Sequence, residues 1–119
     1  NKMWVFGGAS GTTTLNDMWN SEDGVSWTKV SSSAPFPKRF GASLTIYDEK
    51  LWLIGGREGT QINNDIWYSE NGADWNSAVS ENNAFERWGH SATFFNDTIW
   101  VVGGENSQEI LLFDIWALN

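Results

Sequence analysis

A repeat of 48 residues constrains this chain more tightly than any other feature of it. Gly7-Gly8, Gly55-Gly56 and Gly103-Gly104 recur at that spacing, and so do Trp4, Trp52 and Trp100. Asp17-Met18-Trp19 returns as Asp65-Ile66-Trp67 after 48 residues and as Asp114-Ile115-Trp116 after 49. Trp27 matches Trp75, Arg39 matches Arg87, and Gly41 matches Gly89. Of the nine Trp, eight fall in this register and only Trp88 lies outside it.

Within one period four short strands are expected, separated by turn residues. Strand a is Gly41-Ala42-Ser43-Leu44-Thr45-Ile46-Tyr47, mirrored by Gly89 to Phe95. Strand b is an apolar run, Met3 to Phe6, Leu51 to Ile54 and Ile99 to Val102, the pattern of strands buried on both faces. Strand c carries the Asp-x-Trp element, and strand d begins at Trp27 and Trp75. Asp48-Glu49 and Asn96-Asp97 predict tight a–b turns, and Asp23-Gly24 and Asn71-Gly72 predict two-residue c–d turns. The unit is therefore a four-stranded antiparallel meander, with no helical periodicity.

A lone twisted sheet cannot bury both faces, whereas sheets stacked radially can, which predicts a β-propeller. A linear solenoid is the alternative, but solenoid repeats are usually shorter. The expected division is residues 1–38 as blade 1 (strands b, c, d), 39–86 as blade 2 (strands a to d) and 87–119 as blade 3 (strands a to c). Propellers close with about four to eight blades. The expectation is thus a partial propeller of about 2.5 blades, a piece of a larger ring or one whose open edges seek partners.

The Gly-Gly doublet after an apolar strand, the later Asp-x-Trp and the outer-strand Trp resemble the kelch repeat over essentially the whole chain. Arg39 and Arg87 match that family's basic residue before strand a, and Gly89-His90-Ser91 its Gly-His-Ser element, where Ala42 departs. Ser21 to Trp27 and Ser69 to Trp75 are similar to the Asp-box hairpin of sialidase-type propellers. They are one residue shorter, and the second has Asn71 for the Asp. The resemblance implies an all-β, kelch-type β-propeller used as a binding scaffold. Some kelch-type propellers are sugar oxidases or sialic acid mutarotases.

Composition narrows the chemistry. A net charge of −8 with no Lys/Arg cluster disfavours nucleic acid as a partner. No run of 18 apolar residues is present, so no membrane insertion is expected. Cysteine is absent and His90 is the sole histidine, which argues against disulfides, thiolate catalysis and a transition-metal site. No cofactor, metal or catalytic residue is expected. The composition and the hairpins favour a secreted or bacterial cell-surface protein over a cytoplasmic one.

Function is expected on the face that carries the long b–c connections (Gly7 to Asn16, Gly55 to Asn64, Gly103 to Phe113) and d–a connections (Ser31 to Lys38, Ser80 to Glu86). Arg39 and Arg87 are read either as guanidinium groups at the channel mouth, suited to carboxylates or sulfates, or as structural ion pairs with a carboxylate or backbone carbonyls. Phe40 and Trp88 are either inter-blade packing or a stacking platform. Arg57 and Glu58 lack counterparts in the other copies and are either solvated charges or contacts. Asp17, Asp65 and Asp114 read as turn caps, and His90 as a packed strand residue. The expected function is a non-catalytic module that recognises a protein segment or a glycan. The alternatives are a fragment of a carbohydrate-active propeller enzyme and a repeat fragment that self-associates to complete the propeller.

Overall fold

The computed structural model describes residues 1–31, 34–78 and 85–118. The strands are β1 (Met3–Ser10), β2 (Thr13–Ser21), β3 (Thr28–Ser31), β4 (Ser43–Tyr47), β5 (Lys50–Ile54), β6 (Arg57–Glu58), β7 (Gln61–Ile62), β8 (Ile66–Ser69), β9 (Asn76–Ala78), β10 (Ser91–Phe95), β11 (Thr98–Val102) and β12 (Ile115–Leu118). They form three antiparallel meanders ordered β1-β2-β3, β4-β5-β8-β9 and β10-β11-β12, plus the small β6-β7 ribbon. The chain is all-β, and the three meanders stack as successive blades of a partial propeller.

Register makes the blades interlock. Residues alternate between the two faces of each strand, so one face of a blade meets the blade before it and the other meets the blade after it. Phe6 of blade 1 packs with Phe36, Leu53, Leu44, Trp67 and Trp75 to fill the first interface. Ile54 and Ile66 of blade 2 pack with Phe85, Ile99 and Val101 to fill the second. The innermost strands β4 and β10 lie side by side, stitched by a hydrogen bond from Gly89 N–H to the Gly41 carbonyl.

The turns show where sequence pattern and backbone part. Asp48-Glu49 and Asn96-Asp97 do take positive φ as two-residue hairpin turns. The c–d connections are longer than two residues: β2 ends at Ser21 and β3 starts at Thr28, and of Asp23-Gly24 only the glycine has positive φ. Strand a starts at Ser43 and Ser91 because Gly41 and Gly89, at φ +66, turn the chain before it.

Strand b is covered on both faces only in the middle blade; β1 and β11 leave alternate residues exposed. The b–c connections are ladders rather than loops. In blade 1 the ladder bulges between Phe6 and Gly8 and runs on to Ser10↔Thr13. In blade 2 the β6-β7 ribbon takes its place, and in blade 3 a bridge from Glu105 to Leu111. Of the predicted d–a connections, residues 32, 33 and 80–84 lie outside the described residues.

Candidate functional site

The repeated arginines are buried at 0% and 1% exposure. Arg39 Nη1 and Nη2 fork onto the two carboxylate oxygens of Asp65, Nη1 also donates to the Gly55 carbonyl at 2.8 Å, and Nε donates to the Pro37 carbonyl at 3.2 Å. Arg87 repeats the fork on Asp114 at 2.7 and 2.9 Å and donates to the Gly103 carbonyl at 2.7 Å. A planar guanidinium suits this bidentate geometry.

The aspartates of the Asp-x-Trp element are thus ion-pair partners, and each also accepts the indole N–H two residues on, from Trp67 and Trp116, at 2.7 Å. Burial pushes the Asp65 carboxyl up, but hydrogen bonds from Arg39 and Trp67 and the Arg39 charge outweigh it and hold it below the ordinary value. The Arg87 hydrogen bonds hold Asp114 at about 2. In blade 1, Asp17 accepts from Trp19 and has Lys29 at 3.9 Å.

The arginines also place the blades. Gly8 N–H donates to the Arg39 carbonyl at 3.1 Å and Gly56 N–H to the Arg87 carbonyl at 2.9 Å, so the first two Gly-Gly doublets each receive the entry of the next blade. All three doublets take positive φ, and a Cβ on Gly7 would come within 2.7 Å of the Arg39 carbonyl oxygen. Arg39 and Arg87 therefore hold the frame in which the neighbouring side chains sit.

Those neighbours come together. The Arg57 guanidinium stacks over the Trp88 ring at 4.6 Å and the Phe40 ring at 5.6 Å, and the two rings meet edge-on at 5.9 Å. Arg57 Nε donates to the Gly59 carbonyl at 2.7 Å, which fixes the stack, and Glu58 beside it is exposed. The backbone pairs Phe40 with Arg57, and likewise Trp88 with Glu105.

Beyond Trp88 lies an open groove of about 360 Å³ lined by Trp88, Gly89, Glu105, Leu111 and Phe113 among others. In blade 2 the corresponding place is full, because the Trp88 ring itself lies on Gly41, 3.0 Å from where a Cβ would stand. The groove on Gly89 is thus the repeat of a seat that holds an aromatic ring.

Glu105, Leu111 and Phe113 were not picked out from the residues alone. The available signal was a break in the repeat: Glu105 stands where Ala9 and Arg57 stand, and one extra residue precedes Asp114.

His90 lies at the blade 2–blade 3 seam, its Nε2 2.8 Å from the Ser43 hydroxyl. Burial, aided by the Arg87 charge, lowers its pKa to about 4, so the ring is neutral at pH 7.

The c–d hairpins are held by their own side chains. Ser21 Oγ accepts from the Asp23 and Gly24 N–H groups, Asp23 accepts from Val25 and Ser26, and the Trp27 indole donates to the Gly24 carbonyl. Ser69, Asn71 and Trp75 repeat this, with Asn71 in the role of Asp23.

Repeated ion pairs, repeated glycine seats and three stacked meanders define one frame carried from blade to blade. Over residues 1–119 the chain matches the family model of the KLHDC2/KLHL20/DRC7 Kelch-repeats domain. The chain is a Kelch-repeat domain. No curated protein matches it. Kelch-repeat domains are generally non-catalytic interaction modules that bind protein partners. In this one the residues that build the frame, Arg39 and Arg87, are sequestered from solvent. Of those that vary between blades, Arg57 stacks on Phe40 and Trp88, Glu105, Leu111 and Phe113 line the groove beside Trp88, and Glu58 is exposed next to Arg57 in the chain.

Proposed function

We propose that this Kelch-repeat domain binds an extended segment of a partner protein across the Arg57–Phe40–Trp88 stack, with one apolar side chain of the segment in the groove beside Trp88. The observation that carries this reading is the stack itself. A half-buried Arg fixed on two aromatic rings, next to an unfilled ring-sized seat, offers a flat apolar surface with one oriented charge. Such aromatic and Arg groupings are the usual anchors of protein interfaces. Glu105 flanks the anchor with negative charge, and Leu111 and Phe113 extend its apolar wall. Arg39 and Arg87 support the site from below, without touching the segment.

Probing the domain against peptide and glycan arrays tests this. Peptides with an aromatic or large aliphatic residue are expected to bind, and Arg57→Ala to weaken that binding about tenfold without loss of stability, since Ala9 already fills the same place in blade 1. Binding to glycans alone, or peptide binding indifferent to Arg57→Ala, would overturn the reading.

A further inference from the structure

Away from the channel-side stack, the c–d hairpin of blade 2 joins two reactive neighbours. The sequence holds a single Asn-Gly step, Asn71-Gly72, and it lies between β8 and β9. Asn is a chemically labile residue, and a following Gly has no side chain to keep its N–H away from the carboxamide carbon. The same place in blade 1 is Asp23-Gly24, a step with no amide to lose.

The fold occupies both reacting groups. The Gly72 N–H donates to the buried Ser69 hydroxyl at 2.8 Å. The Asn71 carboxamide is fixed at both ends: its oxygen accepts from the Ala73 and Asp74 N–H groups at 2.8 Å, and its Nδ2 donates to an Asp74 carboxylate oxygen at 2.7 Å. Those bonds commit the side chain to the residues after Gly72, whereas ring closure needs Cγ aligned on the Gly72 nitrogen. Trp4 of blade 1 closes the hairpin from outside, its ring so near Gly72 that a Cβ there would stand 2.5 Å from it. Blade 1 has Asp23 in place of Asn71 and Ser26 in place of Asp74, so the carboxamide and its carboxylate partner change together.

We infer that Asn71 is a one-way modification site, inert while the hairpin is closed and converted to aspartate and isoaspartate when the hairpin opens. In the open hairpin the Gly72 nitrogen attacks the Asn71 Cγ. The N–Cγ bond forms, the Cγ–Nδ2 bond breaks, and the carboxamide nitrogen leaves as ammonia with the proton given up by Gly72. Water then opens the cyclic imide, at Cγ to give aspartate or at the Asn71 main-chain carbonyl to give isoaspartate, whose chain runs through Cγ. The net change is amide plus water to carboxylic acid plus ammonia. Aspartate fits the turn, as Asp23 shows: the Ser26 and Val25 N–H groups bond its carboxylate and hold its pKa at about 2. Isoaspartate does not, because its extra backbone atom moves Gly72 off the Ser69 hydroxyl and out from under Trp4. An opening of the seam between blades 1 and 2 is thereby fixed as a covalent change that keeps it from closing in the same register. This site goes beyond the reading of the channel-side stack and does not depend on it.

The test ages the full 119-residue chain in mildly alkaline buffer, folded and in concentrated urea, and follows position 71 by peptide mass spectrometry. Conversion in the folded chain is expected to be at least about tenfold slower than in urea. Ser69→Ala, which frees the Gly72 N–H, is expected to convert about fivefold faster than the unaltered chain when folded and at the same rate in urea. Asp74→Ala, at an exposed position, frees the carboxamide and is expected to convert about twofold faster when folded, which keeps the test intact if Ser69→Ala folds poorly. The isoaspartate form, separated from the aged chain, is expected to have a lower urea midpoint than the unaltered chain, with Asn71→Asp closer to the latter. A folded chain that converts as fast as in urea would overturn the proposal. So would folded variants no faster than the unaltered chain, or an isoaspartate form with an unchanged midpoint.

Discussion

A buried guanidinium must find partners for its charge and for its five N–H donors, and Arg39 meets that demand with an aspartate 26 residues further on. Lysine offers one charge but no fork. Arg39→Lys is therefore expected to destabilise the domain by about 3 kcal/mol and Arg39→Ala by about 3–5 kcal/mol, read from urea unfolding midpoints. His90 sets a pH dependence of known sign. Its folded pKa of about 4 lies below its ordinary 6.5, so the unfolded chain binds the extra proton between those values. Stability is then full above pH 6.5 and falls as the pH drops towards 4, by an amount on the order of 3 kcal/mol. His90→Ala, with Ala42 as its precedent in blade 2, is expected to flatten the urea midpoint between pH 6.5 and 4. Asp114, held at about 2, adds a loss at still lower pH as the pH falls from its ordinary 3.8 through that value.

The c–d hairpin shows how a loop is made rigid without a hydrophobic core of its own. Ser69 is buried, and its hydroxyl oxygen accepts from Asn71 and Gly72. Ser69→Ala leaves those N–H groups without their acceptor, at a cost of about 1–3 kcal/mol, and a lowered thermal midpoint in calorimetry checks it. Gly72→Ala acts through a different element. Its methyl would run into Trp4 of the preceding blade and its φ of +78 disfavours any side chain, so it is expected to cost more than Ser69→Ala in the same measurement. The hairpin pattern Ser-x-Asp/Asn-Gly is legible in the sequence because its hydrogen bonds are local. That its glycine serves as the seat of a tryptophan from another blade is not, since that contact spans 68 residue numbers, from Trp4 to Gly72.

Across the whole molecule, the two interfaces between blades are built from the same register positions, Phe6 meeting Leu53 in the first and Ile54 meeting Val101 in the second. Leu53 and Ile54 are buried in the first and second of these interfaces, and Leu53→Ala and Ile54→Ala are each expected to cost about 2–5 kcal/mol, read from urea unfolding midpoints.

The repeat, the strand order, the a–b turns and the membership of one family were all determined by the sequence alone. They rest on short-range chemistry, alternation within strands and φ-permissive residues at turns, repeated often enough to be read without a fold. The repeat also marked Arg39 and Arg87, but not what they do: only the tertiary structure brings each guanidinium to its aspartate and places both guanidinium groups out of reach of solvent. The same holds for Arg57 on Phe40 and Trp88, and for the groove beyond them. Contacts between residues far apart in the chain depend on how successive blades stack, and periodicity along the chain carries no record of which side chains that stacking makes neighbours.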